Sequence, residues 1–187
     1  MKVYIVRHGQ SVNNRDNLWS GWLDIPLTEK GVEDAKKSVK ILSGVEFDKV
    51  YSSDLIRARQ TLEAALPGCE YETSPLLREI GTGSITGTRI DSFTEEDFKM
   101  TNENGYVAYG GESKTDFRAR VKEFRKQLEE SGLQSVAVFS HAGWLRLFLD
   151  LVVGVSLSHK SIRCKNCTVG IFEYENGVWK LHSWINV

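Results

Sequence analysis

Two histidines stand at equivalent places in the sequence, each directly after a short apolar run. His8 follows the run Lys2–Val6 through Arg7, and His141 follows the run Ser135–Phe139 through a serine. Short runs rich in β-branched residues and bounded by small or charged residues predict buried strands. Each histidine is followed by glycine or alanine, which leaves room for a ligand to approach the backbone. Both histidines are therefore expected at the carboxyl ends of strands.

A third apolar run, Phe47–Tyr51, ends in two serines and leads into a predicted helix that carries Arg57. The carboxyl ends of parallel strands share one edge of a sheet, so Arg7, His8, Arg57 and His141 are expected to converge there. Guanidinium groups and helix N-terminal amides match the oxygens of a phosphate dianion. A single histidine or arginine at a strand end is more often structural or solvated, so the prediction depends on three strand ends together.

Strands alternate with helices along most of the chain, which predicts an α/β fold. We expect a three-layer sandwich in which helices flank a mostly parallel central sheet, with a C-terminal antiparallel hairpin at the edge. Asn176-Gly177 favours a type I′ turn in that hairpin. Residues 8–27 and Leu76–Gly87 are expected to be irregular. The predicted strands are Lys2–Val6, Phe47–Tyr51, Ser135–Phe139, Val169–Tyr174 and Val178–Ile185. One predicted helix begins after Thr28 and extends to Leu42, and two others span Leu55–Ala65 and Thr94–Met100. A fourth begins after Ser113, and the last ends at Val153.

The composition is that of one globular domain spanning residues 1–187, large enough to form its core without disulfides or metal. The 24 Lys and Arg residues nearly balance 25 Asp and Glu, giving a net charge of −1 and no basic field for nucleic acid or an anionic membrane. No apolar run approaches the roughly 20 residues of a membrane span, and the N-terminal run is too short for a signal peptide. Three cysteines cannot all pair, so a cytoplasmic location is expected. The hairpin edge leaves room for a homodimer.

A set of short motifs, in order along residues 2 to about 155, resembles the signature of the histidine phosphatase superfamily, the phosphoglycerate mutase-like proteins. Arg-His-Gly alone would be a weak signal, whereas the ordered set is specific. The motifs are Arg7-His8-Gly9-Gln10-Ser11 with Asn14, Ser20-Gly21-Trp22, Leu27-Thr28-Glu29-Lys30-Gly31, the segment Ser53–Thr61 around Arg57, Leu77-Arg78-Glu79 with Gly83 and Gly87, Gly110-Gly111-Glu112-Ser113, and Ser140-His141-Ala142-Gly143 with Arg146.

The resemblance implies phosphoryl transfer that needs no metal and no cofactor. His8 would attack phosphorus and form a phosphohistidine. Arg7, Arg57 and His141 would bind the phosphoryl group and stabilise its developing charge. Glu79 would protonate the leaving alkoxide and then take a proton from the hydrolytic water. The same resemblance places Asn14, Ser20, Gly21 and Ala142 among the phosphate-binding residues.

Within the superfamily, the sequence is similar to the small broad-specificity and alpha-ribazole phosphatases. Mutases of the family carry a longer segment before the second histidine, with extra basic residues that hold substrate and cofactor. Between Glu79 and Gly110 the basic residues here are Arg89 and Lys99, and acidic residues outnumber them. We therefore expect hydrolysis of a small phosphorylated metabolite.

Residues 88–112 are expected to form a lid or specificity insertion over the site. Their acidic character predicts a preference for neutral or basic leaving groups. A cofactor-dependent phosphoglycerate mutase is the alternative; Ser20-Gly21-Trp22 resembles the mutase sequence, although Leu18 stands where many mutases have arginine. A non-catalytic phospho-ligand binding domain is a further alternative.

The sequence departs from the family pattern near the expected acid. Gln10 replaces the commoner glutamate, and Ile80–Gly87 lacks the aromatic and acidic residues frequent there. Glu79 is therefore assigned on register alone. Asp91 or Glu112 could take its place, although Glu112 is expected to be a structural cap partner.

Cys164 and Cys167 have the spacing of half a zinc or redox site. A structural zinc needs four ligands and Cys69 stands far away in the sequence, so we predict neither metal nor redox chemistry. His159 falls outside the motifs.

Overall fold

The computed structural model describes residues 1–157 and 161–187, and His159 lies outside them. A six-stranded sheet in the order β3-β2-β4-β1-β5-β6 organises the described residues. Neighbours from β3 to β1 run parallel, whereas β5 is antiparallel to both β1 and β6. The predicted α/β class, with an antiparallel C-terminal pair, is confirmed. The strands are β1 (Lys2–Arg7), β2 (Lys49–Ser53), β3 (Glu72–Ser74), β4 (Ser135–Ser140), β5 (Val169–Glu175) and β6 (Val178–Ile185).

Helices cover both faces of the sheet. In the described part of the chain they are α1 (Val12–Asp16), α2 (Glu29–Lys37), α3 (Val39–Leu42), α4 (Ile56–Ala65), α5 (Glu95–Asn104), α6 (Lys114–Glu130) and α7 (Ala142–Val153), with 3₁₀ turns at Pro75–Leu77, Gly83–Ile85, Ile90–Ser92 and Val107–Tyr109. Within residues 1–157 and 161–187, no helix combines the length and apolar character that a membrane crossing requires.

Alternate residues of β1 face the two helical layers, as the two-residue period of a strand requires. Val3 and Ile5 pack in the cluster that includes α6 and α7, whereas Tyr4 and Val6 pack in the cluster on the opposite face, with residues of α3 and α4. Burial on both faces explains why β1 is apolar without alternation. It also holds the end of β1 rigidly, which is where His8 follows.

Several predicted boundaries were wrong. Strand β2 begins two residues later than predicted and includes Ser52 and Ser53, which are buried. Because the serines belong to the strand, the residue that caps α4 is Leu55, whose side chain makes no capping hydrogen bond. Helix α1 lies in a region predicted to be irregular, because its start depends on a capping box between Ser11 and Asn14 rather than on an apolar stripe.

Two further departures concern helix α2 and strand β3. The predicted helix up to Leu42 is interrupted at Ser38, whose N–H donates to the carbonyl of Ala35 at 3.0 Å in the tighter 3₁₀ pattern. Strand β3 is three residues long and largely exposed, so the sequence offers no alternating apolar signal for it.

The segment 88–112 folds around α5 and is attached at both ends. One isolated bridge joins Arg89 to Leu18, and another joins Gly105 to Ser113. A helix was predicted over Thr94–Met100; Thr94 caps α5 by accepting from the N–H of Asp97 at 3.2 Å, and the helix continues four residues beyond the predicted end. The segment therefore forms a fixed wall beside the loop after α1.

Candidate active site

A cavity of about 940 Å³ opens where β1 and β4 end. The structure brings together four of the five predicted catalytic residues on its lining, with the predicted phosphate-binding residues around them. The predicted residues on the lining are Arg7, His8, Arg57 and Glu79, accompanied by Asn14, Ser20, Gly21 and Ala142.

His8 is held with one ring nitrogen bound and the other unbound by any protein hydrogen bond described. Its Nδ1 lies 2.7 Å from the carbonyl oxygen of Gly9. Because a carbonyl oxygen only accepts, we assign the proton to Nδ1, which leaves a lone pair on Nε2. Burial, followed by the charges of Arg57 and Arg7, holds the pKa of His8 well below its usual value. The imidazole is therefore neutral near pH 7, as a nucleophile must be.

Arg57 is fully buried and donates from all three of its nitrogens to protein acceptors. Nη1 donates to the carbonyl of Leu23 at 2.9 Å, Nη2 to the carbonyl of Gly21 at 2.8 Å, and Nε to Nδ1 of His141 at 3.2 Å. Each Nη has a second N–H, so two donors are left for a ligand. Burial lowers the pKa of Arg57 to about 10, with Glu79 acting in the opposite direction. The group remains a cation at neutral pH.

Arg7 is held by the loop after α7. Its Nη1 donates to the carbonyl of Cys164 at 2.5 Å. Its Nε is buried and has no hydrogen-bond partner in the described structure, and the same holds for Oγ of Ser20. Buried polar groups without partners cost about 1–3 kcal/mol each. An anion at this end of the cavity offers acceptors of the kind these groups lack.

His141 lies behind the cavity surface rather than on its lining. It is fully buried, with its ring centroid 5.1 Å from that of His8. Because Nδ1 accepts from Arg57, we assign the proton to Nε2, which donates to Oγ of Ser53 at 2.9 Å. Burial, together with the charge of Arg57, holds the pKa of His141 well below its usual value. Its predicted contact with the phosphoryl group stays a prediction.

Glu79 is positioned by backbone amides on both sides of the cavity. Oε1 accepts from the N–H of Ile80 at 3.0 Å, and Oε2 accepts from the N–H of Gly143 at 2.9 Å. Gly143 lies in the first turn of α7, where N–H groups point toward an anion. Within the described chain, the other carboxylate on the lining is Asp150, which accepts from the N–H of Leu157 at 3.0 Å. Of these two carboxylates, Glu79 is the one whose charge acts on both Arg7 and Arg57.

The two alternative acids have other partners. Asp91 forms a two-bond ion pair with Arg89, at 2.8 and 2.5 Å, on the exposed surface. Glu112 forms a two-bond ion pair with Arg120, at 2.9 and 2.8 Å, and also accepts from the N–H of Gly81 at 3.1 Å. Neither carboxylate lines the cavity.

Arg120, which the sequence did not single out, braces the loop that carries Glu79. Its guanidinium donates to the carbonyl oxygens of Arg78 at 2.7 Å and Glu79 at 3.2 Å, and its partner Glu112 binds the same loop at Gly81. The pair is nearly buried, with side-chain exposures of 13% and 9%. The sequence feature that could have identified Arg120 is its position directly beside the apolar face of α6.

The acidic residues of the segment 88–112 do not line the cavity. The segment faces the cavity with apolar and neutral side chains, and Trp19 packs against this wall, 6.3 Å from Phe98 and 5.6 Å from Tyr106 between ring centroids. Three of the acidic residues lie in the N-terminal turn of α5, where Asp97 completes a capping box and negative charge is favourable. Repulsion of anionic leaving groups therefore loses its structural basis. The lining from this segment is Ile90, Phe98, Thr101, Asn102 and Tyr106.

Cys164 and Cys167 are buried beside Arg7 and not exposed for chemistry. Burial raises the pKa of both thiols, that of Cys167 to about 11. Across residues 1–157 and 161–187, no group of three or more His, Cys, Asp or Glu side chains is arranged to hold a metal ion. The loop that contains the two cysteines contacts the site through its backbone and through Asn166, another residue that the sequence did not single out.

The chain matches the family model of the histidine phosphatase superfamily (branch 1) over residues 3–187, and it belongs to that superfamily. Among curated relatives, it is similar to a protein of Shigella dysenteriae named "Probable phosphoglycerate mutase GpmB", with 29% identity over 99% of this chain and 90% of that protein.

Among solved structures, a candidate alpha-ribazole-5′-P phosphatase of Escherichia coli superposes with a TM-score of 0.84 at 27% identity, covering 100% of this chain and 97% of that one. A phosphoglycerate mutase of Thermus thermophilus superposes with a TM-score of 0.76, also at 27% identity, covering 100% and 99%. The names of these relatives include both a phosphatase and mutases, so similarity alone leaves the reaction open.

Proposed function

We propose that this protein is a phosphoric monoester hydrolase in which Nε2 of His8 takes the phosphoryl group, with no metal and no cofactor. The observation that supports this most is the hydrogen bond from Nδ1 of His8 to Gly9, which leaves the other ring nitrogen unprotonated, with the charges of Arg57 and Arg7 near enough to lower the pKa of the ring. A neutral nucleophile beside two fixed cations is what attack on a phosphate dianion requires.

In the proposed reaction the phosphoryl group passes first to His8 and then to water. In the first, the lone pair of Nε2 forms the N–P bond while the P–O bond to the alcohol breaks, and Glu79 gives its proton to the departing oxygen. In the second, water attacks phosphorus, Glu79 takes its proton back, and the N–P electrons return to His8. Arg7 and Arg57 offset the charge on the equatorial oxygens in both steps.

The substrate we propose is a small phosphorylated metabolite. Apart from the phosphate-binding residues, the cavity is lined by the apolar side chains of Trp19, Phe98, Leu147, Leu157 and Ile162. These surfaces favour an alcohol with an apolar portion. The expected cytoplasmic location and the absence of nucleic-acid and membrane partners belong to the same proposal, as does a homodimer through the hairpin edge.

A cofactor-dependent phosphoglycerate mutase is a second candidate. Arg146 and Lys114 also line the cavity, and cations there could attract a second anionic group. The third candidate, a non-catalytic phospho-ligand binding domain, would use the same arginines without turnover.

The deciding experiment measures release of inorganic phosphate from a panel of phosphate monoesters in EDTA. Wild type is compared with His8→Ala and, as a matched control, His182→Ala, since the side chain of His182 is half exposed on β6. We expect hydrolysis that survives EDTA, vanishes in His8→Ala and persists in His182→Ala. Phosphoglycerate interconversion primed with 2,3-bisphosphoglycerate, without net hydrolysis, would favour the mutase. Phosphate binding without any turnover would favour the binding domain.

A further inference from the structure

The loop 164–168, between α7 and β5, is built onto the turn that carries the nucleophile. The carbonyl of Cys164 accepts from Arg7 Nη1 at 2.5 Å, and the carbonyl of Thr168 accepts from the backbone N–H of Arg7 at 2.9 Å. The N–H of Cys167 donates to the carbonyl of His8 at 3.3 Å. Cys167 adopts φ = 59°, a left-handed conformation that is uncommon outside glycine. The loop is therefore held in an unusual conformation against the site.

Among the described residues, Asn166 is the one residue of the loop whose side chain makes a hydrogen bond to this turn. Its Nδ2 lies 3.0 Å from the carbonyl oxygen of Gly9, 3.2 Å from that of His8 and 3.0 Å from Oδ1 of Asn14. Two hydrogens thus serve three acceptors, so one hydrogen is shared. The same Gly9 oxygen accepts from His8 Nδ1.

The contact with Asn14 fixes the direction of a second amide. Oδ1 of Asn14 accepts from Asn166 and, at 3.2 Å, from the N–H of Ser11. Turning the Asn14 amide over would place its NH₂ group against two donors, so this orientation is determined by the network. Nδ2 of Asn14, which lines the cavity, is left to face a ligand.

We propose that Asn166 is a positioning residue, which fixes the ring nitrogen that His8 presents to phosphorus by holding the Gly9 carbonyl and which turns the donor end of Asn14 toward the phosphoryl group. The inference rests on the proposed function, because a nucleophilic His8 is its premise. Without the Asn166 amide, the Gly9 carbonyl loses one of its two described donors and is held less firmly, so the remaining hydrogen bond from His8 Nδ1, which favours the Nδ1-protonated ring, is weakened. No chemistry is assigned to Asn166 itself.

The test uses Asn166→Ala and the isosteric Asn166→Asp, whose carboxylate faces three acceptors instead of donating to them. Two control variants distinguish the effect of losing the Asn166 amide from the effect of disturbing the loop. Lys165→Ala alters an exposed neighbour, and Asn186→Ala removes the oxygen that accepts from the loop at Lys165 N and Thr168 Oγ1, at 3.1 and 2.7 Å, without touching the His8 turn.

The first readout is independent of turnover. Nitrogen-15 shifts of the His8 ring, followed from pH 5 to 8, report which ring nitrogen carries the proton and where the ring titrates. The ionisable groups that face this ring are Arg7, Arg57, Glu79 and His141, and none of them is changed by these variants. We expect one Nδ1-protonated form in wild type and both controls, a mixture in Asn166→Ala, and titration at higher pH in Asn166→Asp.

The second readout separates kcat from KM. We expect Asn166→Ala to lower kcat about tenfold, equivalent to one lost hydrogen bond, with a much smaller change in KM. An unchanged ring spectrum and kcat in Asn166→Ala would overturn the inference, as would equal losses in Asn186→Ala. If Asn166→Ala fails to fold, Asn166→Asp gives the same decision. Absence of hydrolysis in wild type would refute the proposed function, while the ring spectra would still test the role of Asn166.

Discussion

Glu79 and Gly143 approach so closely that a β-carbon on residue 143 would lie 2.2 Å from Oε1 of the glutamate. Only a glycine at the start of α7 leaves that space while its N–H binds Oε2 at 2.9 Å. Gly143→Ala should therefore displace the proposed acid without removing it. We expect hydrolysis of alkyl phosphates to fall about tenfold, with p-nitrophenyl phosphate little affected because its leaving group barely needs a proton. Steady-state rates on the two esters test this.

Glu79→Gln should show the same discrimination more strongly. Esters with poor leaving groups should slow far more than p-nitrophenyl phosphate, since the amide cannot give up a proton to the leaving oxygen. Combining Glu79→Gln with Gly143→Ala should cause little additional loss, because both changes act on one group. Equal losses on both esters would contradict the role of Glu79 as the acid.

The two buried histidines predict a loss of stability in acid. His8 and His141 have pKa values well below the unfolded value of about 6.5, so below that pH the unfolded chain binds protons that the folded chain does not. Their contribution is complete above about pH 6.5 and is lost as the pH falls. Between pH 7.5 and 5.5, each should reduce the free energy of unfolding by roughly 1 kcal/mol.

Urea unfolding at pH 7.5 and 5.5 measures this difference directly. His8→Gln should reduce the pH-dependent loss by roughly 1 kcal/mol, because one titrating group is gone. A His8→Gln variant with the wild-type pH dependence would show that His8 titrates normally in the folded protein.

Arg120→Met should destabilise the fold by about 3 kcal/mol. The change leaves Glu112 nearly buried without its partner and removes the donors to the carbonyls of Arg78 and Glu79. Arg118→Met, on the exposed side of the same helix, should change stability by less than about 0.5 kcal/mol. Chemical unfolding of both variants decides between a structural brace and a surface ion pair.

Primary n-alkyl phosphates of increasing length should probe the apolar walls of the cavity at constant leaving-group chemistry. We expect kcat/KM to rise by up to about fourfold per methylene until the chain fills the space, since each buried methylene contributes about 0.8 kcal/mol. Phe98→Ala should reduce the gain for long chains and leave methyl phosphate unchanged, whereas Lys99→Ala, exposed on the same helix, should change neither. A series independent of length would show that the walls do not bind the alcohol.

The convergence of Arg7, His8 and Arg57 was predictable from the sequence because it depends on backbone topology alone. Parallel strands must present their carboxyl ends at one edge, and short apolar runs mark those strands clearly. Predicted secondary structure was wrong where local hydrogen bonds decide, as in the short helix α1 and the break at Ser38.

Residues that act through contacts distant in sequence could not be found from the sequence. Asn166 meets the His8 turn across 158 positions, and Arg120 meets the Glu79 loop across 41. No periodicity or local spacing records such pairings. The number of acidic residues in the segment 88–112 is evident from the sequence. Which way their side chains point is not, because it depends on local contacts such as the capping of α5.

While Arg57 Nε donates to Nδ1 of His141, that nitrogen cannot accept a proton, so Arg57 remains the cation and His141 the neutral partner. With His8 neutral as well, none of Arg57, His8 and His141 changes its charge near neutral pH. The ionisation that matters for capture is then the ligand's own. A phosphate ester acquires its second negative charge near pH 6, so affinity should increase with the dianion fraction and level off above neutrality. In this respect the protein acts as a constant electrostatic template, and the metabolite supplies the pH sensitivity.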